Sequence, residues 1–372
     1  MQTELLIDSI GPDIRRRTGI TAPDEFFYIK EASGKETVFF DAREFEVQKK
    51  KLEALGSTIV VEALEPYTDR ARGSTLLGSM GEKTLFEILR AKNITEVKVS
   101  DTVPYGWALA LQRDGITVTP KNFSAERVHK TAAEFEHMRR AQQATDDAFA
   151  LAKKILSEST IVGNTLQWQG AALTSERMKV ELETHFLQRG LWSPSSMIVA
   201  CGEQSARPHD EGEGELRPNE LIIVDLFPQD RASGYFADMT RTFCKGQPSP
   251  KQAALYAAVQ QAQAAVLAAA APGVACKALH QIAIDIFAKL GFETSPKGGF
   301  MHGTGHGLGL AIHEGPRINK DSTNVLEPGM VVTVEPGLYY PELGGVRLED
   351  VIFVHETSVE NITKFEKGLI IT

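Results

Sequence analysis

Cysteine is scarce: only three occur in 372 residues, and Cys201, Cys244 and Cys276 lie far apart with no CxxC pair. That excludes a disulfide framework and a thiolate zinc site, and it fits a reducing compartment, so a cytoplasmic location is expected. Long apolar runs are absent too. Nothing approaches the ~20 residues of a membrane span, and the opening MQTELLIDSIGPDIRRRTG has no apolar core of the signal-peptide kind. The Ala-rich stretch 253–271 is interrupted by Gln and Tyr and closed by Pro272-Gly273, which reads as a packed helix of a soluble protein. Dense Lys/Arg blocks are also missing and the net charge is -9, so a nucleic-acid partner is not expected. Familiar catalytic signatures fail as well. GxGxxG is broken by Leu308 and Leu310, HExxH by Arg317, and no GxSxG occurs.

What remains is an ordinary globular composition, 42% hydrophobic and 24% charged, in a chain whose length suits two domains. Residues 1–122 alternate short β-rich runs (ETVFF, STIVV, EVKVS, ITVTP) with helical stretches (AREFEVQKKKLEALG, TLFEILRAK, YGWALALQRDG), a small α/β pattern without a cluster of histidine and acids. The boundary is placed between Pro120 and Thr131, where Thr131-x-x-Glu134 forms a capping box before a long amphipathic helix. Residues 123–372 then mix helices (172–190, 250–271, 275–290) with β-like segments, an α+β pattern.

Five residues stand out in that second part. Asp225 interrupts LIIVDLF, Asp238 lies in YFADMTRTF, His306 in HGTGHGLGL, Glu335 in VVTVEPG and Glu349 in VRLEDVIFV. A carboxylate in an apolar strand is costly unless it is paired or bound to metal. One alone reads as a satisfied structural acid; the set together points to a metal centre. Alternation along a strand puts Arg347 on the face of Glu349, and Thr240 and Thr242 on the face of Asp238 as supporting hydroxyls. Four carboxylates balance two divalent cations, -4 against +4, held ~3.5–4 Å apart. The oxygen-rich set suits Mn²⁺, Co²⁺ or Fe²⁺ at least as well as Zn²⁺. Gly303, Gly305, Gly307 and Gly309 are read as letting backbone approach the metal and adopt positive φ where needed. His209 in RPHDEG and His313 in AIHEGP read as loop residues unless they fold toward the metals, where an imidazole donates to a developing oxyanion.

The blocks DMTRTF, HGTGHGLGLAIHEGP, TVEPGLYY and GVRLEDV resemble those of the pita-bread metallopeptidases of family M24, which include methionine aminopeptidases, prolidases and aminopeptidase P. The resemblance implies a pita-bread catalytic domain behind an accessory α/β domain. It implies that Asp225, Asp238 and Glu349 hold one metal, and Asp238, His306, Glu335 and Glu349 a second. Manganese is the first expectation, with cobalt, zinc and iron as alternatives. Glu335 is expected to handle a water proton, His209 and His313 to contact the scissile peptide, and Arg347 to bind substrate or order the site. Arg347, the HEGP context and the N-terminal domain favour the Xaa-Pro branch. The implied substrate is a peptide or dipeptide with proline second, and a homodimer is implied by resemblance alone. A methionine-type aminopeptidase and an inactive binding relative are the alternatives. One departure is the 13-position spacing of Asp225 and Asp238, slightly long for the family, which makes Asp230 a rival ligand.

Overall fold

The computed structural model describes residues 2–296 and 298–372. It divides into two compact units, Met1–Arg127 and Val128–Thr372.

In the first unit, β1 (Glu4–Asp8), β2 (Phe26–Lys30), β3 (Glu36–Phe40), β4 (Val60–Ala63), β5 (Glu96–Ser100) and β6 (Thr117–Lys121) form one sheet. Its order is β4-β3-β2-β1-β5-β6, with β1, β2 and β3 antiparallel and the outer pairings parallel. Alternate residues supply two cores. Leu5, Ile7, Phe27 and Ile29 pack with Leu85 and Ile88 of a helix at Met80–Ala91, while Leu6, Phe26 and Tyr28 pack with Ile14 and Leu52. With both faces covered, β1 and β2 are continuous apolar runs without alternation, and the sequence reading missed them. The strand expected at STIVV forms three residues later, at β4.

The second unit opens with α1 (Ala132–Glu158), capped as expected: Thr131 Oγ1 accepts from the Glu134 amide and Glu134 accepts from the Thr131 amide. The hairpin strands β7 (Thr160–Val162), β8 (Thr165–Trp168) and β9 (Ala171–Ala172) and the helix α2 (Ser175–Gln188) follow. Next come β10 (Leu191–Trp192), β11 (Ile198–Cys201), β12 (Ile222–Leu226), β13 (Gln229–Asp230) and β14 (Met239–Lys245). Two helices, α3 (Pro250–Ala269) and α4 (Cys276–Lys289), precede β15 (Gly305–Gly307), β16 (Glu314–Ile318), β17 (Val331–Val334), β18 (Gly337–Tyr340), β19 (Gly344–Arg347), β20 (Asp350–Val354), β21 (Val359–Asn361) and β22 (Ile370–Ile371). One sheet runs β11-β12-β14-β22 and another β16-β15-β17-β20-β21. The Ala-rich stretch is indeed a packed helix, burying Leu255, Val259, Ala262 and Val266.

Arg241, on β14 and 1% exposed, ties the two sheets together. Its Nε donates to the Glu366 carbonyl, Nη1 to the carbonyls of Thr240 and Glu349, and Nη2 to Asp350 Oδ1 and the Phe365 carbonyl. Five N–H groups thus meet five acceptors from three chain segments. Arg241→Met takes a buried charge partner from Asp350, which keeps Asn361 and Lys367, and a donor from four carbonyls, so a loss of about 3 kcal/mol is expected in a denaturant titration. An unchanged midpoint would show that the staple is dispensable.

Candidate metal centre

The acids of the second unit sit where strands end or hand over to one another. Asp225 is the fourth residue of β12, and its register partner on β14 is Thr240. Asp238 immediately precedes β14, Glu335 lies between β17 and β18, and Glu349 between β19 and β20. The sequence reading had Glu335 and Glu349 inside strands. Backbone released from ladder pairing at these breaks is caught by Gln263, buried on α3. Its amide donates to the carbonyls of Val334 at 3.0 Å and Leu348 at 2.9 Å, the residues before Glu335 and Glu349.

His306 is the middle residue of β15. Gly305 and Gly307 flank it with ordinary negative φ rather than the positive φ expected, and their role is close packing. A Cβ on Gly305 would lie 2.0 Å from the Thr333 carbonyl of β17, and one on Gly307 1.9 Å from the Gly315 carbonyl of β16. Side chains there would push both neighbouring strands away. The His306 amide donates to Thr333 Oγ1 at 3.0 Å, and its Nδ1 faces the Gly307 carbonyl at 3.0 Å, leaving Nε2 directed at the acids.

These residues converge. Ligand atoms of Asp238, His306 and Glu349 all lie within 4.8 Å of one another. His306 Nε2 is 3.4 Å from Glu335 Oε1 and 3.7 Å from Asp238 Oδ2. Asp225, Asp238, His306, Glu335 and Glu349 line one cavity of about 670 Å³, together with His209, His313 and Arg347. Asp230, the rival ligand, is not in its lining; it binds the Ala232 amide and the Ser233 hydroxyl within its own turn.

Charge dominates the cavity. Burial, then repulsion from neighbouring acids, raises Asp238 and Glu349 well above the carboxylate range, and burial pushes Glu335 up to about 7 against the pull of Arg347. Burial lowers His306 to about 3, which keeps it neutral and able to donate a lone pair. The Arg347 guanidinium donates to Asp225 Oδ2 at 2.6 Å, the Tyr339 hydroxyl at 2.8 Å, Thr240 Oγ1 at 3.1 Å and the Pro208 carbonyl at 3.3 Å. Asp225 Oδ1 is buried without a hydrogen-bond partner. An orphaned carboxylate oxygen, three further crowded acids and a neutral imidazole make a donor set that fits divalent cations.

Supporting contacts differ in one respect from expectation. The Thr240 hydroxyl donates to Glu349 Oε2 at 2.8 Å rather than serving Asp238, whose amide instead donates to Gln142 Oε1 at 3.3 Å. The Thr242 hydroxyl exchanges hydrogen bonds with the Arg347 backbone. His209 and His313 are exposed on the cavity lining, and the ring of His313 meets that of His306 edge to face at 4.4 Å. The sequence reading missed His302, held neutral at about 3 by burial, with Nε2 2.7 Å from the Tyr339 hydroxyl. Its place four residues before His306 was a signal. It also missed Gln263, an amide on the apolar face of an Ala-rich helix, and the buried Lys130–Glu314 pair at 3.0 Å beside His313.

Residues 136–356 match the profile of metallopeptidase family M24. The chain is 33% identical over 246 residues to the Xaa-Pro dipeptidase of Pyrococcus furiosus, covering 66% of this chain and 65% of that protein, just under two thirds of its length. It is 30% identical over 297 residues to the Xaa-Pro dipeptidase of Pyrococcus horikoshii, covering 77% and 79%. Among solved structures, the prolidase from Pyrococcus horikoshii OT3 superposes with a TM-score of 0.81 at 26% identity over 100% of this chain and 96% of that one. An Xaa-Pro dipeptidase from Bacillus anthracis gives 0.82 at 27% identity over 100% and 95%. The fold is the α+β pita-bread arrangement with a smaller N-terminal α/β unit.

Two measurements follow from the geometry. Because Glu335 moves from 4.5 up to about 7 on folding, and Asp238 and Glu349 also move up, the metal-free folded site holds protons that the unfolded chain releases at lower pH. Metal-free stability should therefore fall as pH rises between those values, while cations compete better once the protons leave. The increase in Tm on adding Mn²⁺ should be larger at about pH 7.5 than at about pH 5.5; an equal increase would contradict the crowded-acid account. Gln263→Leu should weaken metal affinity about tenfold by calorimetry, since the breaks bearing Glu335 and Glu349 lose their shared donor.

Proposed function

The chain belongs to metallopeptidase family M24, and from there we propose that it is a metal-dependent exopeptidase cleaving the bond between an N-terminal residue and proline, in dipeptides or longer peptides. The observation that carries this reading is the convergence of Asp238, His306 and Glu349 beside Asp225 and Glu335 in a cavity open to a peptide. In this proposal Asp225, Asp238 and Glu349 hold one divalent ion and Asp238, His306, Glu335 and Glu349 a second, manganese first, with cobalt, zinc or iron as alternatives. Such ions, when bound, acidify water and polarise the scissile carbonyl.

The chain's own groups do the rest. We assign Glu335, on the cavity lining beside His306, as the base that takes a proton from water and returns it to the departing proline nitrogen. His209 and His313, exposed on the cavity lining, donate to the carbonyl oxygen as charge develops there. Arg347 is engaged by four protein groups, so we assign it to holding Asp225 in place more than to gripping substrate. Proline is suited to this site because its nitrogen brings no N–H that the cavity must satisfy. Names borne by relatives, Xaa-Pro dipeptidase among them, support the same assignment. Residues 123–372 are proposed as the catalytic domain and 1–122 as an accessory domain of a cytoplasmic homodimer. No described helix is long and apolar enough to cross a membrane.

Purified protein with Mn²⁺ or Co²⁺ should hydrolyse Ala-Pro or Ala-Pro-Ala faster than Met-Ala, and Glu335→Gln should cut kcat by about 10²–10⁴. Preferential cleavage of Met-Ala would instead indicate a methionine-type aminopeptidase. No turnover with any divalent ion would end the proposal.

A further inference from the structure

The cavity lining carries charges that the metal centre does not use. Glu211 is one of them. Its backbone is pinned: the Val199 amide of β11 donates to the Glu211 carbonyl at 3.0 Å. Gly212, at φ +75, lets the chain approach so closely that a Cβ would lie 1.9 Å from the Val199 carbonyl. Neighbouring charges are engaged elsewhere. Arg207 pairs with Asp210 and Glu203, and Lys179 Nζ donates to the Gly212 carbonyl. The Glu211 carboxylate itself is exposed and makes no hydrogen bond or ion pair among the described residues.

Its position relative to the metal centre follows from register. Ile198 of β11 pairs with Asp225 of β12, and Glu211 is bonded to the other edge of β11. Two strand spacings, about 10 Å, separate the Glu211 backbone from that of Asp225. Ser195, Ser196, Ile198 and Glu211 line the same cavity as the metal-centre acids, and the acid among them suits the cationic amino end of a peptide. Arg317, by contrast, lies on β16 in the other sheet.

We propose that Glu211 selects peptides whose N-terminal residue is basic, Lys-Pro and Arg-Pro sequences, with the aliphatic stem of that residue laid along Ile198 and its cationic head at the Glu211 carboxylate. This rests on the Xaa-Pro reading above. A lysine carries four methylenes before its ammonium, an apolar stem that can lie along an aliphatic surface while the charged head stays in water.

The test compares Lys-Pro with norleucine-Pro, which lacks the charge but has nearly the same shape, on the manganese-loaded full-length protein. Lys-Pro should have a kcat/KM about fivefold higher, the scale of an ion pair in a water-filled cavity, and the difference should sit in KM. Added NaCl should shrink it. Glu211→Gln should bring the ratio to about one, and Glu211→Lys should invert it and favour Glu-Pro. If Ala-Pro is hydrolysed but Lys-Pro and norleucine-Pro are equal, or if Glu211→Gln leaves their ratio intact, this inference falls while the Xaa-Pro assignment stands. If no Xaa-Pro peptide is hydrolysed with any divalent ion, both fall.

Discussion

Mutual repulsion of four carboxylates in one buried cavity is the constraint around which the second unit is built. Asp225 and Asp238 come from one stretch of chain, Glu335 and Glu349 from another that begins 97 residues after Asp238, and the four cannot all ionise together without an opposite charge. Arg347 meets that need at Asp225. At the other three acids burial and proximity raise proton affinity. A fold that tolerates this crowding has kept a place for cations, since apolar residues of similar volume would be more stable there.

Holding such a site requires backbone control more than side-chain packing. Three of the four acids lie where ladder pairing stops, and an unpaired peptide group in the interior is costly unless something else bonds it. Gln263 does so at the breaks before Glu335 and Glu349, and Arg241 does so at Glu349 and Thr240. Gly305 and Gly307 let β15 approach its neighbours closely enough to bring His306 to the acids. These devices preorganise the donors while leaving their lone pairs directed into the cavity.

The cavity is polar on both sides but unequally so. Around it, burial lowers His302 and His306 to about 3, leaving their imidazoles neutral. His209 and His313 on the same lining are exposed to solvent. Glu211 on the β11 side and Arg317 on β16 put charges of opposite sign on the cavity lining.

Local chemistry along the chain was enough to read the capped helix after Thr131, the α/β character of the N-terminal unit and the unusual acids in apolar runs, because caps, periodicity and burial cost are local signals. It also drew attention to the five residues whose donor atoms share the cavity. Continuous apolar strands such as ELLID and FFYIK escaped, since a strand covered on both faces has no alternation to detect. The glycines around His306 are legible as permitting close backbone approach and positive φ; only the neighbouring strands reveal that Cβ atoms are excluded by contact while φ stays ordinary. Likewise Gln263, Tyr339 and Arg241 gain their meaning from partners up to 125 residues away, and sequence spacing carries no information about partners that distant. Residue types set what chemistry was available, and long-range strand pairing decided which of those groups meet.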